Sequence, residues 1–113
     1  GIQRYTSLVI VGLNNIMPSK SKQKGNRFER ECVDIAKEKG FKSKRAWGSD
    51  GRSLGETAEV DLLIDKYKAQ CKVRKRVAKW LKPTDEVDIQ IVKEDRGQIY
   101  VIQKYEDWLE MAK

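Results

Sequence analysis

A chain of 113 residues with a net charge of +7, 36% charged and 39% hydrophobic, is sized for one soluble domain with a modest core. No apolar run approaches the ~18 residues that a membrane-spanning helix needs. The absence of histidine removes Ser-His and Cys-His catalysis and most zinc chemistry, which leaves carboxylates, lysine or a hard metal. Cys32 and Cys71 are too few and too dispersed for a disulfide scaffold or a zinc site, and read as buried free thiols in a reducing, intracellular compartment, whether cytoplasm, nucleoid or a viral host's cytoplasm.

The charge is unevenly placed. Residues 17–52 carry eleven bases against five acids, 53–65 carry four acids and no base, 66–82 carry eight bases and no acid, and 83–113 carry four bases against eight acids. An acidic segment between two basic blocks suits a polyanion gripped around a cation site, so nucleic acid is the expected partner; a generally basic, soluble protein is the plainer reading.

In chain order, residues 1–24 read as a flexible extension and basic arm ahead of a domain over 25–113. The 6–13 stretch, TSLVIVGL, is apolar but short and lacks the basic start and cleavage pattern of a signal peptide. Met17-Pro18-Ser19-Lys20 resembles a translation start, which leaves the preceding residues as an upstream extension, a tag remnant or a pairing strand. Residues 26–39 read as a helix capped by Asn26 and stopped by Gly40, with Phe28, Cys32, Ile35 and Ala36 as its apolar stripe. Glu29 borders that stripe, whereas Glu31, Asp34 and Glu38 fall on the solvated side.

Residues 41–47 read as a strand and 48–55, GSDGRSLG, as a loop whose glycines, Ser49, Ser53 and Arg52, with Arg45 nearby, offer donors to phosphate. It lacks the spacing and the Gly-Lys-Ser/Thr ending of a phosphate-binding P-loop, and an ordinary strand connection explains it equally. Trp47 would stack on a base or, as strand-end aromatics more often do, join the core.

Residues 59–75 read as a β-hairpin. Val60, Leu62 and Ile64 alternate with a row that is polar but for Leu63, and Tyr67, Ala69, Cys71 and Val73 alternate with polar partners after a turn at Asp65-Lys66. Matching the apolar rows fixes the register and places Asp61 opposite Gln70 and Glu59 opposite Lys72. A solvated outer face with mixed charges is the plainer account of that polar row. Residues 77–81 follow as a short helix or turn, with Trp80 and Leu81 as core anchors. Arg74, Lys75, Arg76, Lys79 and Lys82 form the densest basic region. A second hairpin over 87–92 and 98–103 and a closing helix over 105–112, with Trp108, Leu109 and Met111 or Ala112 inward, complete the chain.

An early helix with Glu29, a strand, and a hairpin bearing Asp61 and a residue-X-Lys tripeptide resemble the PD-(D/E)XK nuclease superfamily, and most nearly its archaeal and phage Holliday-junction resolvases. The likeness covers residues 25–75. It rests on Gly25 through Glu31, Gly40-Phe41, Arg45, Gly48-Ser49, Val60-Asp61-Leu62 and Cys71-Lys72-Val73. It implies an α+β, restriction-endonuclease-like mixed sheet flanked by helices, and a Mg²⁺-dependent DNA endonuclease, with Mn²⁺ able to substitute, acting on branched or double-stranded DNA as a homodimer. Glu29, Asp61, Gln70 and Lys72 would be the catalytic positions. Glu29, Asp61, Gln70 and the Cys71 carbonyl would meet the metal. Lys24, Arg27, Arg45, Ser49, Arg52, Arg74, Lys75, Arg76 and Lys79 would meet DNA. Val60 replaces the motif proline, and Gln70 stands where the second acid sits, offering a carbonyl oxygen but no charge. Glu59 is the residue positioned to restore that charge. A non-catalytic DNA-binding module of the same fold is the alternative, and an RNA-associated basic protein a third.

Overall fold

The computed structural model of the chain describes residues 20–47 and 50–113. The expectations for residues 1–19 and for Gly48 and Ser49 lie outside it. The class is α+β, as expected. The chain divides after Arg74 into two compact units, the second being Lys75–Lys113.

In the first unit, helix α1 spans Lys20–Glu38 and buries Glu29, Cys32, Val33 and Ala36. It begins before the expected Asn26, so residues 20–24 are helix rather than a loose arm. Lysine and glutamine are good helix formers that carry the helix through Gly25, whose own cost is about 1 kcal/mol. The C-terminus closes as the sequence suggests. Gly40 takes φ 97°, its N–H donates to the Lys37 carbonyl, and the Phe41 N–H donates to the Ala36 carbonyl. This double bond pattern needs a left-handed residue, which glycine supplies without a Cβ clash.

Strands β1 (Ser43–Arg45), β2 (Leu62–Ile64) and β3 (Tyr67–Ala69) form an antiparallel sheet in the order β1-β2-β3. The β2–β3 register pairs Ile64 with Tyr67 and Leu62 with Ala69, as the alternating apolar rows required. A one-residue slip would expel the buried Leu62 and Ile64 from the core. The turn is held by Asp65, which adopts φ 49°. Its carboxylate accepts the Lys42 N–H at 2.8 Å, and its own N–H donates to the Lys42 carbonyl at 2.7 Å. Helix α1 packs on β1 and β2. Val33, Ala36, Phe41, Ala46, Val60, Leu62 and Ile64 are all buried in this unit.

These strands are shorter than the alternation suggested, because side chains capture the next amides. The Trp47 N–H donates to the Ser53 hydroxyl, ending β1, and the Cys71 N–H donates to the Asp61 carboxylate, ending β3. Between β1 and β2, a 3-10 turn at Gly51–Leu54 is capped by the Asp50 side chain and closed by Gly55 at φ 77°. Gly51 is buried so closely that a Cβ would collide with the Thr57 carbonyl and lie 2.8 Å from that of Val60.

In the second unit, a 3-10 turn at Lys79–Leu81 precedes β4 (Ile89–Lys93), β5 (Ile99–Gln103) and helix α2 (Tyr105–Ala112). The β4–β5 hairpin turns through Arg96 at φ 59°. On α2, Leu109 is fully buried and Trp108 and Ala112 are half-buried, whereas Met111 is exposed. Trp80 does not anchor this unit as expected: its ring is 66% exposed, and Leu81 takes the half-buried side of the short turn.

Every strand pairing among the described residues is antiparallel, so the parallel pairing of a mixed sheet is absent among them. No helix among them is long and apolar enough to cross a membrane.

Candidate active site

Of the expected site residues, Asp61 and Cys71 are tied directly together at the end of the first hairpin, and Glu29 is buried on the face of α1 turned to that sheet. Helix periodicity turns Glu29 toward the sheet along with Cys32, Val33 and Ala36, and it is buried. Asp61, immediately before β2, is 0% exposed. It is not part of a solvated polar face, as the plainer reading of the hairpin held. Its backbone completes the sheet: its N–H donates to the Ala69 carbonyl, and its carbonyl accepts the Ala46 N–H, both at 2.8 Å. Its carboxylate accepts the Cys71 N–H at 2.6 Å, a short charge-assisted bond. Gln70 therefore sits between two residues that are both tied to Asp61. Neither Asp61 nor Gln70 is inside the paired ladder, which ends at Leu62 and Ala69.

Cys71 links Asp61 to α1. Its thiol shares a hydrogen bond with Cys32, so the two cysteines meet in space despite their separation in sequence; both are free. That bond, then burial, then the negative charges of Asp61 and Glu29 all push the Cys71 thiol up. Cys32, on the accepting side, is pushed down by the same bond. Both carboxylates thus act electrostatically on the Cys71 thiol. Burying two carboxylates is costly unless hydrogen bonds or cations compensate. For Glu29, part of the compensation is Arg45, whose Nε lies 3.2 Å from Oε1.

Other placements differ from expectation. Arg45 is turned inward to Glu29 and to the Asn26 side-chain oxygen, so it orders the site instead of facing DNA, and Asn26 receives it instead of capping the helix. Arg52 is engaged by Asp50 through its guanidinium and its backbone N–H. Trp47 is 85% exposed and outside the core. Lys24 and Arg27 are exposed on α1, and Lys72 and Arg74 are exposed after β3. Glu59 is also exposed. Lys75, Arg76 and Lys79 are exposed in the second unit. Neither the Arg45–Glu29 pair nor the Cys32–Cys71 contact had a sequence signal, because each joins α1 to a distant segment.

Among the described residues, no three histidine, cysteine, aspartate or glutamate side chains gather as a metal-holding group. The groups expected to meet a cation, the carboxylates of Glu29 and Asp61, the Gln70 amide oxygen and the Cys71 carbonyl, are oxygen donors of the kind Mg²⁺ prefers, with the acids buried and Gln70 exposed. No protein-family model, curated protein or solved structure matches the chain. The functional reading therefore rests on this chemistry.

Proposed function

We propose that the protein is a metal-dependent DNA endonuclease of the PD-(D/E)XK type, selective for branched DNA. The observation that supports the reading is the pair of buried carboxylates in the first unit, Glu29 from the helix and Asp61 from the hairpin, the latter bonded to the Cys71 N–H that lies between Gln70 and Lys72 in the chain. Buried acids gathered next to a basic segment are what a cation-assisted phosphodiesterase needs and what a simple basic binding surface does not.

Asp61, Gln70 and the Cys71 carbonyl would hold Mg²⁺, with Glu29 contributing directly or through water. The ion would supply Lewis-acid polarisation of the scissile phosphate and acidify a water. The chain's own groups do the rest. Arg45 fixes the Glu29 carboxylate, and the Cys71 N–H fixes that of Asp61. Lys72, exposed next to Cys71, would stabilise charge growing on the phosphate. The exposed bases of the first unit, Lys24 and Arg27 on α1 and Arg74 after β3, would hold the DNA backbone without reading bases. Cutting both strands would require two sites, most simply in a homodimer.

A second reading, a DNA-binding module without catalysis, is favoured by Gln70, which is exposed and brings no charge to the cation site. The deciding experiment is cleavage of a labelled four-way junction and a matched linear duplex with Mg²⁺, Mn²⁺ or EDTA, beside Asp61→Ala and Lys72→Ala. Metal-dependent junction cutting that falls at least about a hundredfold in either variant, with DNA binding retained, is expected. Tight binding with no product under either metal sinks the nuclease reading and leaves the binding module.

A further inference from the structure

Trp80 is placed unlike any other tryptophan of the second unit. Its backbone is fixed: the Leu81 N–H donates to the Ala78 carbonyl, the Lys82 N–H donates to the Lys79 carbonyl, and the Gln90 side-chain amide of β4 donates to the Trp80 carbonyl at 3.0 Å. Its ring nevertheless stands 66% in water. A rigidly mounted, exposed indole is a poor use of the largest apolar side chain unless a flat partner covers it.

The surroundings indicate what that partner is. Residues 66–82 contain eight bases and no acid. Lys75, Arg76, Lys79 and Lys82, which flank Trp80 in the chain, are all exposed, and no acid among the described residues pairs with them. By contrast, Arg45 is held by Glu29 and Arg52 by Asp50. Cations left open around an exposed ring match an alternation of phosphates and exposed bases. Phosphates attract the lysines, and a base stacks on the indole whatever its identity. A paired duplex offers the phosphates but keeps its base faces stacked inside. A membrane surface would favour a broad amphipathic helix, whereas here a three-residue turn carries one ring.

We propose that Trp80, with Lys75, Arg76, Lys79 and Lys82, is a stacking site for an unpaired base in single-stranded or branched DNA. This deepens the DNA reading above and rests on it. The site would give the protein its preference for junctions and flaps over plain duplex.

The test is equilibrium binding in EDTA to a fluorescent single-stranded oligothymidylate and to a blunt duplex of equal length, using the full chain, Trp80→Ala and Trp80→Phe. Because the ring is largely exposed, its removal leaves little cavity, and circular dichroism verifies that each variant is folded. Trp80→Ala should weaken single-strand binding about tenfold and duplex binding less than about twofold, while Trp80→Phe keeps most of the affinity because a phenyl ring still stacks. Equal loss on both DNAs, or loss on neither, overturns the proposal. So does Trp80→Ala weakening binding to phosphatidylserine vesicles while leaving oligothymidylate untouched. Omitting metal separates the two ideas: Trp80-dependent single-strand binding without junction cleavage in Mg²⁺ removes the nuclease and keeps the stacking site. Cleavage insensitive to Trp80 with unchanged binding does the reverse.

Discussion

The two hairpins of this protein carry the same sequence signature and end in opposite states. In β2–β3 the alternating residues Leu62 and Ile64 are buried under α1. In β4–β5 the residues Ile91, Ile99 and Val101, which share one face by register, stay exposed, and Leu109 is the only buried apolar side chain that the second unit contributes. Period-two alternation specifies which residues share a face, but burial needs a second element to lie on that face. The first unit has a nineteen-residue helix to do so, and the covered hairpin is the one that also buries Glu29 and Asp61. Both buried carboxylates thus sit in the unit whose hairpin is covered by a helix.

The largest test of that contrast is a pair of truncations. Leu62→Ala should cost about 2–5 kcal/mol, because it empties a packed site, whereas Ile91→Ala should stay within about 0.5 kcal/mol. Hydrogen exchange read separately in β2 and β4 measures both, and a large loss at Ile91 would show that its face is covered in solution. Gly51→Ala comes next. With no room for a Cβ against the Thr57 and Val60 carbonyls, it should destabilise the first unit by about 1–3 kcal/mol in chemical denaturation and loosen the loop leading to Asp61.

Asp65→Ala should cost about 1 kcal/mol, since it removes the acceptor of the Lys42 N–H and puts alanine at φ 49°. The smallest effect belongs to Asp50. Hydrogen bonds from Arg52 hold its carboxyl down to about 2. A depressed acid contributes above its ordinary value of 3.8 and loses that contribution as pH falls through about 2. Carbon-detected NMR should show Asp50 titrating near 2 while thermal stability hardly moves, because the pair lies at the surface and is screened by solvent.

Much of the secondary structure was legible. The end of α1 followed from Gly40, the β2–β3 register from its two apolar rows, and α2 appeared over the very residues expected. The start of α1 was missed because Asn26 looked like a cap, when its side chain instead serves Arg45. Strand lengths were overestimated because the hydroxyl of Ser53 and the carboxylate of Asp61 compete for amides that the alternation assigned to the ladder. The positions of Glu29, Asp61, Gln70 and Lys72 in the chain pointed toward one site. Their separation into two buried acids and two exposed residues was invisible, as was the inward turn of Arg45.

By itself, the sequence determined most element types, the turn at Asp65-Lys66, the register of the first hairpin and the excess of positive charge, because these depend on neighbours a few residues apart and on composition. Only the tertiary structure decided which hairpin is covered, that Cys32 meets Cys71, that Arg45 answers Glu29, and that Trp80 stands in water. Each of these outcomes joins segments remote in the chain or depends on what packs above a face, and no local pattern encodes either.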